Sequence, residues 1–357
     1  MSIFDETVFV TGFPGFIAGR LIQRLAADGA RLLLLVQPAF VARAHQDIAR
    51  ICADTKVAND SFSIIEGDIT QERLGLSGRD LAAVQTETTT VFHLAAIYDL
   101  AVRRDVALRI NVAGTRNVNN VVRTMMHLRR YHYVSTCYVA GKREGVIRES
   151  DLRHEAGFRN YYEESKYLAE LEVDALKADL PLTIHRPSVV CGDSVTGETA
   201  KYDGIYYLIN YLLRIPRWLS LFNIGNRKVS LNLVPVDFVV QAMAALARDE
   251  RAIGKTVQLA DPAPLTTHEL FNSIARTING RGSRLTLPAP LVRFSLSLPP
   301  SPAITGLPHN GVPYFFLKQT YDTAQAHELL APHGLQCPSF STYVSAIVEF
   351  AAAHPKL

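Results

Sequence analysis

A short apolar run, Thr7–Val10, leads directly into Thr11-Gly12-Phe13-Pro14-Gly15-Phe16-Ile17-Ala18, after which apolar residues recur at helical spacing (Phe16, Ile17, Leu21, Leu25). A strand, a glycine-rich turn and a helix in immediate succession leave few folds open. Gly12 permits the tight turn, Gly15 lets backbone approach a pyrophosphate, and Ala18 is small enough for the helix to pack on the strand. A diphosphate would rest on the helix N-terminus, where free N–H groups and the helix dipole favour an anion.

The same alternation continues along the chain. Leu32–Val36 is aliphatic throughout, as expected of a strand covered on both faces. Val41–Cys52 reads as a helix and Phe62–Ile65 as the third strand. Thr90–Leu94 and Tyr131–Ser135 are the fourth and fifth strands, with a long helix from about Val106 to Met126 between them. The helix Tyr161–Lys177 and the strand Leu182–Ile184 follow. This rhythm predicts an α/β fold: a doubly wound parallel Rossmann sheet with right-handed crossovers. After Arg186 it weakens, then returns over Val234–Arg248 and a short strand at Val257–Leu259. The expected division is a nucleotide-binding domain over 1–190 plus about 234–262, and a smaller mixed substrate lobe over about 191–233 plus 263–357.

Composition narrows the function classes. The chain has 357 residues, 48% of them hydrophobic, enough for a sizeable core. With 37 basic and 34 acidic residues scattered along it, it offers no electrostatic footprint for nucleic acid. Its cysteines, Cys52, Cys137, Cys191 and Cys337, form no CxxC pair and no zinc-like spacing, so reduced thiols and no metal site are expected. Met1–Thr7 carries Asp5 and Glu6 and no apolar core, unlike a signal peptide, and no apolar run approaches the length of a membrane span. These features together predict a cytoplasmic protein.

Two further clusters carry chemistry. Tyr162 and Lys166 lie four apart on a predicted helix and so share a face. A free phenol, with a pKa of about 10, is a poor acid–base group at neutral pH, and a nearby ammonium would lower that value. Ser135 and Thr136 stand at the C-terminal end of the fifth strand, where open α/β sheets bind ligands. Leu94, Ala95 and Ala96 end the fourth strand with small residues, leaving room for a cofactor ribose. The second strand ends in Gln37 where a ribose-gripping carboxylate would exclude a 2′-phosphate, and Arg43 follows within reach of one. NADP(H) is therefore favoured over NAD(H), with both possible.

The combination resembles the short-chain dehydrogenase/reductase superfamily, in its extended branch. The matching pieces run in order from Val8 to Gly192: the TGxxGxxA loop, Gly67-Asp68-Ile69, the HLAA motif, Asn111-Val112-Ala113-Gly114-Thr115, the STxxVxG stretch and YxxxK. The resemblance implies that Asp68 and Ile69 flank the adenine and that Asn111 belongs to a supporting polar network. It implies that Thr136, or Ser135 if the register slips by one, bonds the substrate carbonyl. Tyr162 would exchange the proton, while Lys166 would hold the nicotinamide ribose. The loop Arg186-Pro187-Ser188, with Val189, would close over the nicotinamide. Homodimerisation through the two long helices is also implied.

Arg186–Glu198, Tyr202–Tyr207, Val234–Asp237 and Cys337–Tyr343 look like the fatty-acyl-CoA reductase and thioester-reductase ("male sterility") subgroup. Three readings follow. One is reduction of a ketone or aldehyde on a lipophilic or carrier-bound substrate; the apolar stretch Leu285–Leu298 motivates a lipophilic substrate for this reading and the next alike. Another is reduction of an acyl thioester to an aldehyde or alcohol. A third, from another class, is a non-catalytic dinucleotide-binding subunit.

Overall fold

The computed structural model describes residues 6–299, 301–302, 306–307 and 309–355. Residues 1–5, most of the stretch read for a signal peptide, lie outside them. The first half runs β1 (Thr7–Thr11), α1 (Phe16–Ala27), β2 (Arg31–Val36), α2 (Val41–Thr55), β3 (Phe62–Glu66), α3 (Gly78–Glu87), β4 (Thr90–His93), α4 (Arg104–Ala107), α5 (Gly114–Val122), β5 (Arg130–Val134), β6 (Gly145–Ile147), α6 (Tyr161–Asp174) and β7 (Leu182–Pro187). The second half adds β8 (Val189–Cys191), α7 (Ile205–Arg214), β9 (Phe222–Asn223), β10 (Leu233–Pro235), α8 (Val236–Leu246), β11 (Thr256–Leu259), α9 (Thr267–Asn279), β12 (Leu285–Thr286), α10 (Ala289–Ser297), β13 (Gln319–Tyr321), α11 (Ala324–Leu330) and α12 (Phe340–Ala353).

Seven strands form one parallel sheet in the order β11-β7-β5-β4-β1-β2-β3. Strand side chains alternate between faces. Val8 and Val10 of β1 therefore join Leu32, Leu34 and the α1 and α8 residues Leu21, Leu25, Val239 and Met243. Phe9 points the other way, to Leu33, Tyr131 and the α5 and α6 residues Val118, Ala169 and Val173. Each buried Leu, Val or Phe contributes on the order of 1.5–3 kcal/mol of transfer free energy, so the two faces dominate the stability of this half.

The remainder builds a lobe of its own, in which α7, α9 and α12 bury Leu208, Phe271 and Tyr343. The chain crosses back more than the sequence suggested. β13 pairs with β6, and Ala326, Leu329, Leu330 and Cys337 pack into the α1–α8 face of the main sheet. Residues 319–337, expected within the lobe, thus serve the nucleotide-binding side. The expected long helix is interrupted: α4 and α5 flank a π-helical turn over Leu108–Ala113. Arg186 and Pro187, read as a loop, are the last residues of β7. Among the described residues no helix is long and apolar enough to cross a membrane.

Candidate active site

The C-terminal ends of β1, β4, β5 and β7 open on a cleft of about 710 Å³. At its floor Gly12 has φ +96°, and a Cβ there would come within 2.7 Å of the Ala95 backbone nitrogen. Only glycine tolerates both. Gly15 is the N-cap of α1 and supplies no side chain to its first N–H groups, which leaves them free for an anion. These features fit a dinucleotide diphosphate.

Of the residues expected to hold the cofactor, Gly12–Ile17, Gln37, Arg43, Ile69, Leu94–Ala96, Tyr162, Lys166 and Pro187–Val189 line the cleft. Asp68 stands beside the lining. Its carboxylate accepts from Gln37 Nε2 at 3.1 Å and from the Thr70 N–H at 2.8 Å. The Arg43 guanidinium is mostly exposed and lies 3.6 Å from Asp47. Asn111 is buried behind the wall, where its Oδ1 accepts from the Ile97 N–H at 2.8 Å and its Nδ2 donates to Ser165 Oγ at 2.9 Å. It positions the segment after β4.

Tyr162 and Lys166 share one face of α6, whose N-cap Asn160 accepts from the Glu163 N–H at 3.0 Å. The Tyr162 phenol is buried, hydrogen-bonded to the Thr136 hydroxyl, and met edge-on by the Tyr98 ring at 5.0 Å. Burial pushes this phenol well above its ordinary range, the Thr136 bond opposes that, and Glu163 and Asp203 push it further up. The Lys166 ammonium donates to Tyr133 OH at 2.9 Å and to the Val134 carbonyl at 2.8 Å. Burial lowers its pKa to about 8 against the pull of Glu170. The expectation of a phenol depressed by Lys166 thus meets a different geometry, with the amine turned to β5 and burial governing the phenol.

The hydroxyl pair is resolved by partners. Ser135 Oγ donates to Glu170, which also receives Arg186 Nε at 2.8 Å. Thr136 Oγ1 is left in the cleft beside Tyr162, accepting from the Tyr138 N–H at 3.2 Å.

Other wall residues were not singled out by sequence. Tyr98 lies four residues beyond Leu94. Asp203 sits within the Tyr202–Tyr207 stretch that carried the subgroup resemblance, where its charge had no visible partner. Lys201 Nζ lies 5.3 Å above the Tyr98 ring and 3.6 Å from Asp203, bridging the two sides of the cleft.

Tyr98, Tyr138, Val189 and Asp203 are shared with an adjoining hollow walled by Leu231, Leu307, Tyr314 and Phe315. That hollow in turn shares Tyr207, Leu307 and Phe315 with an apolar chamber lined by Leu208, Phe271, Val292 and Leu296. The Leu285–Leu298 stretch divides accordingly. Val292 and Leu296 face the chamber, while Leu285, Leu291, Phe294 and Leu298 are exposed.

Comparison with known proteins agrees with this geometry. The chain is 25% identical over 284 residues to the fatty acyl-CoA reductase wat of Drosophila melanogaster, covering 69% of this chain and 54% of that protein. It is 27% identical over 292 residues to the glycine betaine reductase ATRR of Emericella nidulans, covering 75% of this chain and 22% of that one. Its coverage of such curated relatives runs from 5% to 63% of their length. Among solved structures, the terminal R domain from the myxalamid PKS-NRPS biosynthetic pathway superposes with a TM-score of 0.82 at 24% identity, over 99% of this chain and 92% of that one. The fold is that of the extended short-chain dehydrogenase/reductases. The family model described as male sterility protein matches residues 10–243, and the chain belongs to this family of NAD(P)-binding proteins.

Proposed function

We propose that this chain reduces the carbonyl of a lipophilic acyl group presented as a thioester, with NADPH as hydride donor. The observation that carries the reading is the run of adjoining hollows from Tyr162 to the apolar chamber behind Val292 and Leu296. A carbonyl beside Tyr162 leaves room for an apolar chain on its far side. Relatives named as fatty acyl-CoA reductases and as reductase domains of peptide synthetases support the thioester.

NADPH would lie along Gly12–Ile17, with its nicotinamide toward Pro187–Val189, and would supply the hydride. Thr136 then donates to the carbonyl oxygen, and Tyr162 delivers its phenolic proton to that oxygen as the carbon is reduced. Lys166 holds the ribose and supports the phenolate left behind. The resulting hemithioacetal loses its C–S bond, giving an aldehyde and a thiol. Exchange for a second NADPH and reprotonation of Tyr162 from solvent would supply the hydride and proton that turn the aldehyde into the alcohol. The absence of a carboxylate at the end of β2, with Arg43 on the rim, favours the 2′-phosphate of NADPH over NADH.

The test is incubation with NADPH and decanoyl-CoA while following NADPH oxidation and free thiol together. Stoichiometric thiol release supports the thioester reading. Turnover of 2-decanone without any thiol from decanoyl-CoA would reject it in favour of ketone reduction. Tyr162→Phe is expected to cut turnover by about 10²–10⁴-fold while sparing NADPH binding. A variant with undiminished turnover would remove Tyr162 as the acid.

A further inference from the structure

Behind the cleft, buried polar side chains connect Lys166 to the root of the glycine loop. Thr11, His93 and Tyr133 sit at matched register on the adjacent strands β1, β4 and β5. Thr115, at the start of α5, lies over them. Lys166 Nζ is 2.9 Å from Tyr133 OH, and Tyr133 is hydrogen-bonded to Thr115. Thr115 Oγ1 is 3.0 Å from His93 Nε2, and His93 Nδ1 is 2.7 Å from Thr11 Oγ1. All five residues are buried, and only the two ends, Lys166 and Thr11, line the cofactor cleft.

Every inner member of this row can both donate and accept a hydrogen bond. The row therefore has two complete hydrogen orders. A charged Lys166 can only donate, so the Tyr133 oxygen accepts from it and the Tyr133 O–H turns to Thr115. Thr115 then donates to His93 Nε2, which puts the imidazole proton on Nδ1, donating to Thr11. In this order the Thr11 O–H is not committed to His93. A neutral Lys166 gains a lone pair that can accept from Tyr133, and when it does each bond in the row reverses. His93 then carries its proton on Nε2, and the Thr11 O–H is held by Nδ1.

We propose that His93 is a tautomeric relay through which the charge on Lys166 and the hydrogen-bond donor available at Thr11, under the glycine loop, control one another. Conversion between the orders by the row itself balances. Lys166 gives one proton to Tyr133, each member passes its own proton to the next, and Thr11 releases one at the cleft end. Linkage is reciprocal, so a cofactor that accepts from Thr11 holds Lys166 charged, and a charged Lys166 favours that cofactor. Tyr133, Thr115, His93 and Thr11 are thus positioning residues for Lys166.

The other charged or titratable groups facing the row are few. Glu170, paired with Arg186 and Ser135, draws Lys166 toward its charged form. Burial and the charge of Lys166 keep His93 neutral, with its pKa lowered to about 3. Tyr162 lies one helical turn before Lys166 on the same face of α6.

The proposal rests on Lys166 serving Tyr162, yet its test needs no substrate. In protein labelled with ¹⁵N-histidine, the His93 signals are those missing from His93→Gln. They are expected to show Nδ1–H near pH 7 and to switch to Nε2–H as Lys166 discharges at alkaline pH, with NADPH moving the switch upward. Thr115→Val, which touches neither cofactor nor substrate, is expected to abolish the switch, and Thr115→Ser to restore it. Tyr133→Phe breaks the same row and serves if Thr115→Val does not fold. A His93 tautomer unchanged from pH 6.5 to 10, or a switch that persists in Thr115→Val or Tyr133→Phe, overturns the proposal. Failure of decanoyl-CoA turnover alone would bear only on the substrate.

Discussion

Ser135 and Thr136 are adjacent hydroxyls whose partners assign them different work. Ser135 donates to the buried Glu170, so Ser135→Ala leaves a carboxylate oxygen short of a donor. The expected cost is on the order of 1–3 kcal/mol, read as a lower urea midpoint, with turnover nearly retained. Thr136→Val removes the hydroxyl beside the Tyr162 phenol. It should lower kcat by on the order of 10²-fold and leave the midpoint nearly unchanged. Loss of turnover in the serine variant with full activity in the threonine variant would exchange the assignments. Lys166, with a pKa lowered to about 8, sets the alkaline side of the rate profile. If its charge holds the ribose, as proposed, kcat/KM should decline as pH rises through about 8 and stay level just below. The i, i+4 spacing of Tyr162 and Lys166 was legible in the sequence because helix geometry alone puts them on one face. Ser135 against Thr136 was not, because a one-residue slip exchanges the faces of a strand. The partners that decide it, Glu170 and Arg186, come from other elements.

At the scale of elements, the glycine loop and the π-helical turn do most to shape the cleft. Gly12 lies where β1 passes the backbone of Leu94 and Ala95, and its φ of +96° is costly for any other residue. Gly12→Ala should destabilise the fold by on the order of 1–3 kcal/mol and weaken NADPH binding, seen together in a thermal melt and a calorimetric titration. Binding at the wild-type level would mean that this approach is not what seats the diphosphate. The π turn over Leu108–Ala113 brings Asn111 to Ile97 and Ser165, and such turns recur at functional sites. Sequence reading found the main-sheet strands because each carries aliphatic or aromatic residues in a short run between turn or helix signals, as in Leu32–Val36. It passed over α3, where Leu81 and Val84 are the only buried apolar residues, although Ser77 caps that helix by accepting from the Asp80 N–H. It could not find the β6–β13 and β8–β10 pairs either. These are three-residue strands with partners far along the chain, and no local period marks them.

For the whole molecule, stability against acid is set by imidazoles kept neutral inside the main sheet. His132 stacks on Phe92 at 4.5 Å, and its Nδ1 is 3.0 Å from His185 Nε2. In the neutral pair the bridge holds one proton and an outer nitrogen carries the other, and because the outer nitrogens His132 Nε2 and His185 Nδ1 are buried without a partner, one further proton would place an unpaired charge in the core. Burial lowers His93 and His185 to about 3 and His132 well below its ordinary value. Each is near 6.5 once unfolded. The stability these groups permit is therefore complete above pH 6.5 and is lost as pH falls from there toward the folded values. One proton taken up on unfolding costs about 1.4 kcal/mol per pH unit, so three imidazoles together cost about 4. Glu149 acts in the opposite sense. Burial raises it to about 7 despite N–H donors from Gln258, Gln325 and Ala326, so its contribution is present below about 4.5 and is lost as pH rises through 7. Between pH 6 and 5 it offsets one imidazole, and a net loss of about 3 kcal/mol per pH unit remains. Urea midpoints should fall with that slope between pH 6 and 5, and more gently between pH 7 and 6, where the unfolded imidazoles are only partly protonated. His132→Phe, which keeps a ring against Phe92 but cannot take a proton, should reduce that slope by about half. A midpoint that stays level from pH 7 to 5 would mean that these imidazoles titrate as they do in water, and that the core admits their charge.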